Sequence, residues 1–335
     1  MPMTARVVAD LNAALHSVMA ADEHLHLLGE DVADPYGGAF KATRGLSGAF
    51  PGRVRATPIS EGAIVGAGAG LALAGGKAIV EIMFGDFIAL AFDQIVSFAG
   101  RSVSMYGRRV PLHLVIRCPV GGGRGYGPTH SGSPQKHFVG VPGLSLFETS
   151  AFHDHTTLLR RMLSLGHPAI LFEDKVLYGR RMHAHDTLFH RTGLGTLDPC
   201  ARFTVEGAGR ADCVLVAPGG VAERALAATR SVLLTDEITC EVLVPSRLYP
   251  FDLQPLLPVL AAAGRVCVVE ESTAGGTWGS ELAQQLHTAL WDDLRAPVRL
   301  VHSADAVIAA APHLEREVLV QDTDIARAVK EVTAG

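Results

Sequence analysis

One carboxylate, Glu61, stands among apolar and glycine residues where a helix should begin. Residues 57–70 run TPISEGAIVGAGAG. The acid can cap the helix, because the first turn leaves amide groups unpaired and carries a partial positive charge. It can also act as a chemical group that shares a proton with a bound nitrogen base, since low dielectric disfavours its ionised form. These residues alone leave both interpretations open.

A histidine, His130, lies on a second segment with chemical potential. It follows the run GGGRGYGPT at 121–129 and precedes SGSP at 131–134, a stretch too rich in glycine to be a buried strand. Loop histidines usually lie at the surface as solvated side chains. An imidazole can nevertheless move protons near neutral pH, so His130 is also a candidate general acid or base.

The elements that must position these groups follow an alternating pattern. Buried strand-like runs alternate with amphipathic helical segments, which is typical of a parallel α/β architecture. We predict two domains, each a mainly parallel sheet flanked by helices, at 1–185 and 200–335, joined by a polar, turn-rich linker at 186–199. Predicted strands are 25–29, 77–82, 112–117, 168–173, 212–217, 239–244, 265–270 and 297–302, and predicted helices are 87–102, 155–165, 222–234 and 279–290.

Composition restricts the classes of function. The chain has 335 residues, 48% of them hydrophobic and 19% charged, which suits two well-packed domains. A net charge of −5 gives no basic surface for nucleic acid or for an anionic membrane. No apolar run reaches membrane-spanning length and the N-terminus lacks a secretory pattern, so we expect a cytoplasmic protein.

Cysteine and histidine spacing does not predict a metal site. The five cysteines are scattered in apolar runs and are expected to be reduced core residues. Three histidine pairs have i, i+2 spacing but no nearby third ligand, so we interpret them as solvated or capping residues. These pairs are His24 with His26, His153 with His155, and His183 with His185.

Gly62, Gly66 and Gly70 recur every four residues on one face of the predicted helix. The run does not fit a dinucleotide fingerprint, because residue 71 is Leu and Pro58 interrupts the preceding strand. A ridge of small residues allows another helix to approach closely. Both a tight contact with a second subunit and ordinary internal packing remain open.

Five blocks along the chain resemble the β subunit of the thiamine-diphosphate-dependent E1 component of 2-oxoacid dehydrogenase complexes. The run ending at His130 is the most specific of them, and together they span nearly the whole chain. They are GEDV at 29–32 with YGGAF at 36–40, the Glu61 block, EIMFGDF at 81–87 with FDQIV at 92–96, GGGRGYGPTHS at 121–131, and VEE at 269–271 with GGTWGSE at 275–281.

The resemblance implies roles for individual residues. Glu61 matches the family glutamate that hydrogen-bonds the pyrimidine nitrogen and drives the cofactor's own amine to remove the C2 proton. His130 matches the histidine that shuttles protons and assists acyl transfer. Ile59, Met83 and Phe87 match positions around the pyrimidine, although many relatives carry Gln where this chain has Met83.

The resemblance also implies partners. The Gly-Asp-Gly motif that holds Mg²⁺ and the diphosphate is absent from the sequence, so an α subunit is expected to supply that half of the site in an α₂β₂ tetramer with a β–β contact. A lipoyl acyltransferase E2 is a further candidate partner. Gly132 replaces the usual Gln, which leaves a carboligase of the transketolase type and a non-catalytic scaffold as alternatives to the dehydrogenase.

Overall fold

The computed structural model describes residues 5–183 and 186–334. Within these ranges the chain forms two open sheets flanked by helices, which confirms the predicted α/β class. The strands, numbered along the chain, are β1 (Leu25–Gly29), β2 (Val54–Ala56), β3 (Lys77–Glu81), β4 (Leu114–Val120), β5 (Ser145–Glu148), β6 (Ala169–Asp174), β7 (Phe189–Leu194), β8 (Cys200–Val205), β9 (Cys213–Val216), β10 (Cys240–Pro245), β11 (Arg247–Tyr249), β12 (Val266–Thr273) and β13 (Arg299–Ser303).

The helices cover the faces of both sheets. They are α1 (Val7–Ala21), α2 (Leu46–Ala49), α3 (Glu61–Leu73), α4 (Gly100–Ser102), α5 (His155–Ser164), α6 (Val221–Asp236), α7 (Leu257–Ala263), α8 (Trp278–Leu290), α9 (Pro312–Val318) and α10 (Asp322–Thr333). Short polar side chains cap two of them, α5 and α8. Asp154 accepts from Thr157 N at the start of α5, and Thr277 accepts from Ser280 N at the start of α8.

The first sheet has the order β11-β5-β6-β4-β3-β1-β2. All of its pairs are parallel except that of β11 with β5. Strands β3, β4 and β6 are almost entirely buried, as expected for parallel strands with helices on both faces. Strand β11 comes from the second half of the chain, so the two halves share a sheet.

The second sheet has the order β13-β12-β9-β10-β8-β7. Strands β13, β12, β9 and β10 pair in parallel, whereas β8 and β7 add an antiparallel edge. A hydrophobic core continues from this sheet into the first one, through residues such as Trp278 and Leu248. The Trp278 indole donates to the carbonyl of Leu248, 2.9 Å away, at this contact.

The segment predicted as a linker, 186–199, contains β7. That strand lies at the sheet edge and is mostly exposed, so it carries the polar residues that suggested a loop. Its pairing with β8 places it in the second sheet. We therefore propose that the boundary between the domains lies before β7.

The helix predicted over 87–102 is not a single α-helix. It is a 3₁₀ segment at Gly85–Ala91, a π-helical segment at Gln94–Ala99 and the short α4. Apolar residues every three to four positions are compatible with all three hydrogen-bonding patterns, so the spacing could not distinguish them.

The glycine ridge of α3 packs internally along part of its length. A Cβ at Gly62 would lie 3.4 Å from the carbonyl oxygen of Leu90, and one at Gly66 would lie 3.1 Å from Gln94 Oε1. A Cβ at Gly70 would have no neighbour within 4 Å among the described residues. The ridge therefore packs against 90–94 inside this chain, and a contact with a second copy stays a prediction.

The cysteines and two of the histidines lie in the core. All five cysteines are buried and unbridged, as predicted. The interpretation of the histidine pairs as solvated or capping is wrong for His153 and His155, which are buried and contact Ser150 and Asp10. His185 lies outside the described residues. Among the described residues no group of three or more metal-ligating side chains forms a metal site, and no helix could cross a membrane.

Candidate active site

The predicted site residues lie at one edge of the first sheet. Strands β2, β1, β3 and β4 are parallel neighbours, so their carboxyl ends share that edge. Glu61 follows β2, Phe87 follows β3 and His130 follows β4. The order of the strands therefore brings together groups that are far apart in the sequence.

Glu61 is the first residue of α3, and only 5% of its surface is exposed. Its carboxylate makes no hydrogen bond to the residues that the structure describes. Ser60, at the N-cap, makes no side-chain cap either. Because a capping acid would accept a bond from the first-turn amides, this geometry does not support the capping interpretation.

A second carboxylate, Glu30, lies beside Glu61 at the end of β1. Burial raises the pKa of Glu30, and the neighbouring charge of Glu61 raises it further. Glu30 Oε1 is buried and has no hydrogen-bond partner among the described residues. The charge of Glu61 therefore acts on a buried neighbouring acid, and it favours the protonated form of Glu30.

An aromatic cluster surrounds His130. The ring centroid of His130 lies 4.8 Å from that of Phe84 and 5.1 Å from that of Phe87, both edge to face. The ring centroid of Tyr126 lies 6.0 Å from that of Phe84. The Thr129 hydroxyl lies 2.9 Å from His130 Nδ1, which leaves the other ring nitrogen available to a bound molecule. The structure thus places predicted residues Phe87 and His130 in contact.

The other two predicted residues are placed less tightly. Ile59 has 83% of its surface exposed, just before α3. Met83 is half-buried directly beyond β3. Neither contacts His130 through the ring and polar contacts described above. Helix α3 packs against the 3₁₀ segment that carries Phe87, which connects the Glu61 end of the site to the His130 end.

Three carboxylates hold the glycine-rich loop that carries His130. Glu271 Oε1 accepts from Gly122 N at 2.9 Å, and Asp86 Oδ2 accepts from Gly132 N at 3.0 Å. Glu315 accepts from the amides of Gly123 and Gly125. Sequence analysis missed these roles, although the acid pair at 270–271 within an apolar strand was a signal.

Asp86 also explains the glycine at 132. A Cβ at that position would lie 2.6 Å from Asp86 Oδ1, closer than ordinary packing permits. The loop therefore accommodates no side chain at 132 unless Asp86 moves. Beside Gly132 lies a cavity of about 530 Å³, whose lining includes Asp86, Lys136 and Thr273 but neither Glu61 nor His130.

A buried ionic network supports the strands behind the site. Arg117 on β4 donates to Glu81 at 2.6 Å and to both carboxylate oxygens of Glu173 at 2.8 and 2.9 Å. The Tyr178 hydroxyl donates to Glu173, and Glu81 accepts from Ala39 N at 2.7 Å. Burial alone would lower the pKa of Arg117, but the two carboxylates raise it above its ordinary value. Because its charged groups are paired and hydrogen-bonded to one another, the network is stable when buried away from solvent.

A second group of carboxyls lies between the two sheets. Burial, and then the nearby Asp174, raise the pKa of Glu148 well above its ordinary value. Burial, and then Glu271, raise the pKa of Asp174 to about 6. Arg224 donates to Glu271 and offsets part of this charge. Added Cβ atoms at 219 and 220 would collide with the Glu148 and Asp174 carboxylates, so a side chain at either position would require those carboxylates to move.

Comparisons with known proteins agree with this architecture. Residues 5–181 match the model of the family "Transketolase, pyrimidine binding domain", and residues 204–325 match "Transketolase, C-terminal domain". The likeness to solved structures extends along the chain. A split-gene transketolase, described as an inactive β4 tetramer, is 19% identical with a TM-score of 0.72 over 97% of each chain. A transketolase from Leishmania mexicana is 17% identical with a TM-score of 0.69, covering 100% of this chain and 46% of that one.

Curated relatives identify the branch of thiamine-diphosphate enzymes that this chain resembles. The pyruvate dehydrogenase E1 component subunit beta of Leifsonia xyli is 32% identical over 89% of this chain and 86% of the relative. The mitochondrial subunit of the same name from Dictyostelium discoideum is 30% identical over 96% of this chain and 89% of the relative. With both domains matched and the candidate residues at one sheet edge, this chain belongs to the family of β subunits of the thiamine-diphosphate-dependent E1 component of 2-oxoacid dehydrogenases.

Proposed function

We propose that this chain is the β half of a two-chain enzyme that decarboxylates a 2-oxoacid and transfers the acyl group to a lipoyl domain. The observation that carries the proposal is the buried carboxyl of Glu61, which has no hydrogen-bond partner among the described residues. Burying a polar group without a partner is costly, so such a group favours a ligand that supplies one. The ring nitrogen of an aminopyrimidine is a partner of that kind.

The residues near Glu61 fit the pyrimidine end of thiamine diphosphate. Phe87 offers an aromatic ring, and Met83, which follows the same strand β3, is half-buried. Ile59 lies two residues before Glu61, and its exposed side chain can contact the ring. Bound thiamine diphosphate supplies a carbon nucleophile and an electron sink for the decarboxylation.

The chain's own residues have separate tasks in this proposal. Glu61 donates a proton to the pyrimidine nitrogen from the first turn of α3, where its side chain has no other hydrogen-bond partner among the described residues. His130 transfers protons to and from the substrate with the ring nitrogen that Thr129 does not engage. Phe84 and Phe87 contact the imidazole edge to face and restrict the orientation of its plane.

The diphosphate end belongs to a partner in this proposal. The sequence lacks the Gly-Asp-Gly motif that would hold Mg²⁺, so an α subunit supplies the metal ligands and the complex is an α₂β₂ tetramer with a β–β contact. A lipoyl acyltransferase E2 is the proposed acceptor protein. The names of the curated relatives, which describe E1 subunits, support this division of labour.

A second candidate function, carboligation of the transketolase type, has one observation in its favour. Asp86 occupies the space that a side chain at 132 would need, so the loop beside His130 differs from the relatives with Gln there. The choice can be made by supplying the complex with a 2-oxoacid and either a lipoyl domain or an aldehyde, then identifying the product. Acyl-lipoyl product supports the dehydrogenase, and a hydroxyketone supports the carboligase.

Glu61→Gln tests the proposal directly. The amide keeps the shape but cannot donate the acidic proton, so exchange of the cofactor C2 proton in the reconstituted complex should slow by at least about 100-fold. The exchange is followed by NMR after acid quench. Glu23→Gln is the matched control, because that side chain is 88% exposed. Wild-type exchange in Glu61→Gln would show that Glu61 does not activate the cofactor.

A further inference from the structure

The loop that carries His130 has little rigidity of its own. Gly121, Gly123, Gly125 and Gly127 all have positive φ, between +69° and +88°. Glycine reaches this region without strain, but fixing it costs more conformational entropy than fixing any other residue. Precise placement of His130 therefore requires restraints from outside the loop.

The ends of the loop are joined to each other and to the first sheet. Gly121 N donates to the carbonyl of Gly132 at 3.0 Å, which closes the loop at its base. Arg124 donates to the carbonyl of Lys175, and its guanidinium lies 4.8 Å from the ring centroid of Phe40. These contacts fix the base of the loop and the Arg124 side chain, but they do not engage the amides of Gly123 and Gly125.

Glu315 of the second domain supplies the missing restraint. Its side chain is only 3% exposed and approaches the loop from α9. Oε1 accepts from Gly123 N at 2.8 Å, and both oxygens lie within 3.3 Å of Gly125 N. Hydrogen bonds from two amides to one buried carboxylate are stronger than bonds between neutral groups.

The backbone of the loop packs closely against the residues on either side of Glu315. A Cβ at Gly122 would collide with the Leu319 side chain, and one at Gly125 would lie 3.2 Å from the carbonyl oxygen of Ala310. The backbone of the loop thus lies directly on the segment that bears Glu315. Glu271 adds a second contact from this domain at Gly122.

We propose that Glu315 is a positioning residue, through which the second domain sets the place of His130. This inference rests on the proposed function for the role of His130. The other half of the inference, that Glu315 holds the loop at Gly123 and Gly125, is independent of the proposed function. Glu61 begins α3, after β2, whereas Glu315 contacts the loop that follows β4. We therefore expect activation of the cofactor by Glu61 not to depend on Glu315.

The test compares Glu315→Ala, Glu315→Gln and the control Glu317→Ala. Glu317 lies on the same helix but is exposed. Hydrogen exchange of the peptide spanning 121–130, measured on the full chain by mass spectrometry, should quicken roughly 10- to 100-fold in Glu315→Ala. Glu315→Gln should restore most of the protection, since one oxygen still accepts from both amides. Glu317→Ala should match the wild type.

Activity of the reconstituted complex provides the second measurement. We expect Glu315→Ala to slow single-turnover decarboxylation or acyl transfer roughly 10- to 100-fold, whereas C2 exchange stays within about threefold of wild type. Equal losses in both steps would show a general structural defect and overturn the proposal. Unchanged hydrogen exchange of the 121–130 peptide in Glu315→Ala would also overturn the proposal, but it would not contradict the proposed function. A wild-type complex without turnover would instead refute the proposed function, and the exchange data would still decide whether Glu315 holds the loop.

Discussion

Asp174→Asn should stabilise the folded chain at neutral and alkaline pH. Asp174 ends β6, is 6% exposed and lies against Gly220. Its Oδ1 accepts from Val176 N at 2.7 Å, a bond that the asparagine oxygen can keep. The substitution therefore removes the charge next to Glu271 and leaves the geometry in place.

The magnitude follows from the shift in pKa. Burial, and then the charge of Glu271, raise the pKa of Asp174 from 3.8 to about 6. An acid with a higher pKa in the folded state binds its proton more tightly there, so its contribution to stability falls as pH rises from near 4 to about 6. At pH 8 the ionised group costs on the order of 3 kcal/mol, which the asparagine should recover in whole or in part.

Urea unfolding of the wild type and the variant from pH 5 to pH 8 measures this effect. The difference in unfolding free energy should be smaller at pH 5 than at pH 8, where it should favour the variant. The exposed Asp292→Asn serves as the control and should follow the wild type throughout. A variant that is less stable at pH 8, or a difference that does not change with pH, would refute the reasoning and assign Asp174 an ionic role with Arg224.

Three further predictions concern the cofactor, the reaction and the fold. The isolated chain should bind thiamine diphosphate weakly and without a requirement for Mg²⁺, because it lacks the diphosphate motif; tight, Mg²⁺-dependent binding in a calorimeter would contradict the two-subunit proposal. His130→Ala should retain C2 exchange but lose about 100-fold, on the order of 2.7 kcal/mol, in decarboxylation or acyl transfer, and single-turnover rates equal to wild type would make this histidine structural. Arg117→Met should lower the unfolding free energy by about 3–5 kcal/mol, since it leaves Glu81 and Glu173 buried without their cation; a denaturant midpoint like that of the wild type would show that the carboxyls take up protons at little cost.

Local sequence patterns predicted eight of the strands, and they missed β2, β5, β7, β8 and β11. Strand β1 matches its predicted bounds, and the other seven predicted strands differ by a few residues, because buried parallel strands produce continuous apolar runs. Strand β11 was missed for a different reason. It is three residues long, lies between two prolines and pairs with β5, which is about a hundred residues earlier in the chain. Local propensity carries no information about such a distant partner.

In the candidate site, too, local sequence identified some residues, whereas the roles of others depend on contacts distant in the sequence. Glu61 and His130 could be singled out because an acid at an apolar helix start and a histidine in a glycine-rich loop are unusual in their local contexts. The roles of Asp86 and Glu315 were not visible, since Glu315 contacts Gly123 across 192 positions of sequence. The burial of His155 likewise depends on Asp10, 145 positions away.

The strand shared between the sheets has a consequence for synthesis. Strand β11 covers the open edge of β5, and Arg247 fastens it there by donating to Ser145 Oγ at 2.9 Å and to Asp198 at 2.7 Å. As the chain leaves the ribosome, the first sheet cannot be completed until about residue 249 has emerged. Until then β5 presents unpaired backbone groups to other nascent chains, so the growing polypeptide is exposed to edge-to-edge aggregation at this strand during synthesis of residues 148 to 249.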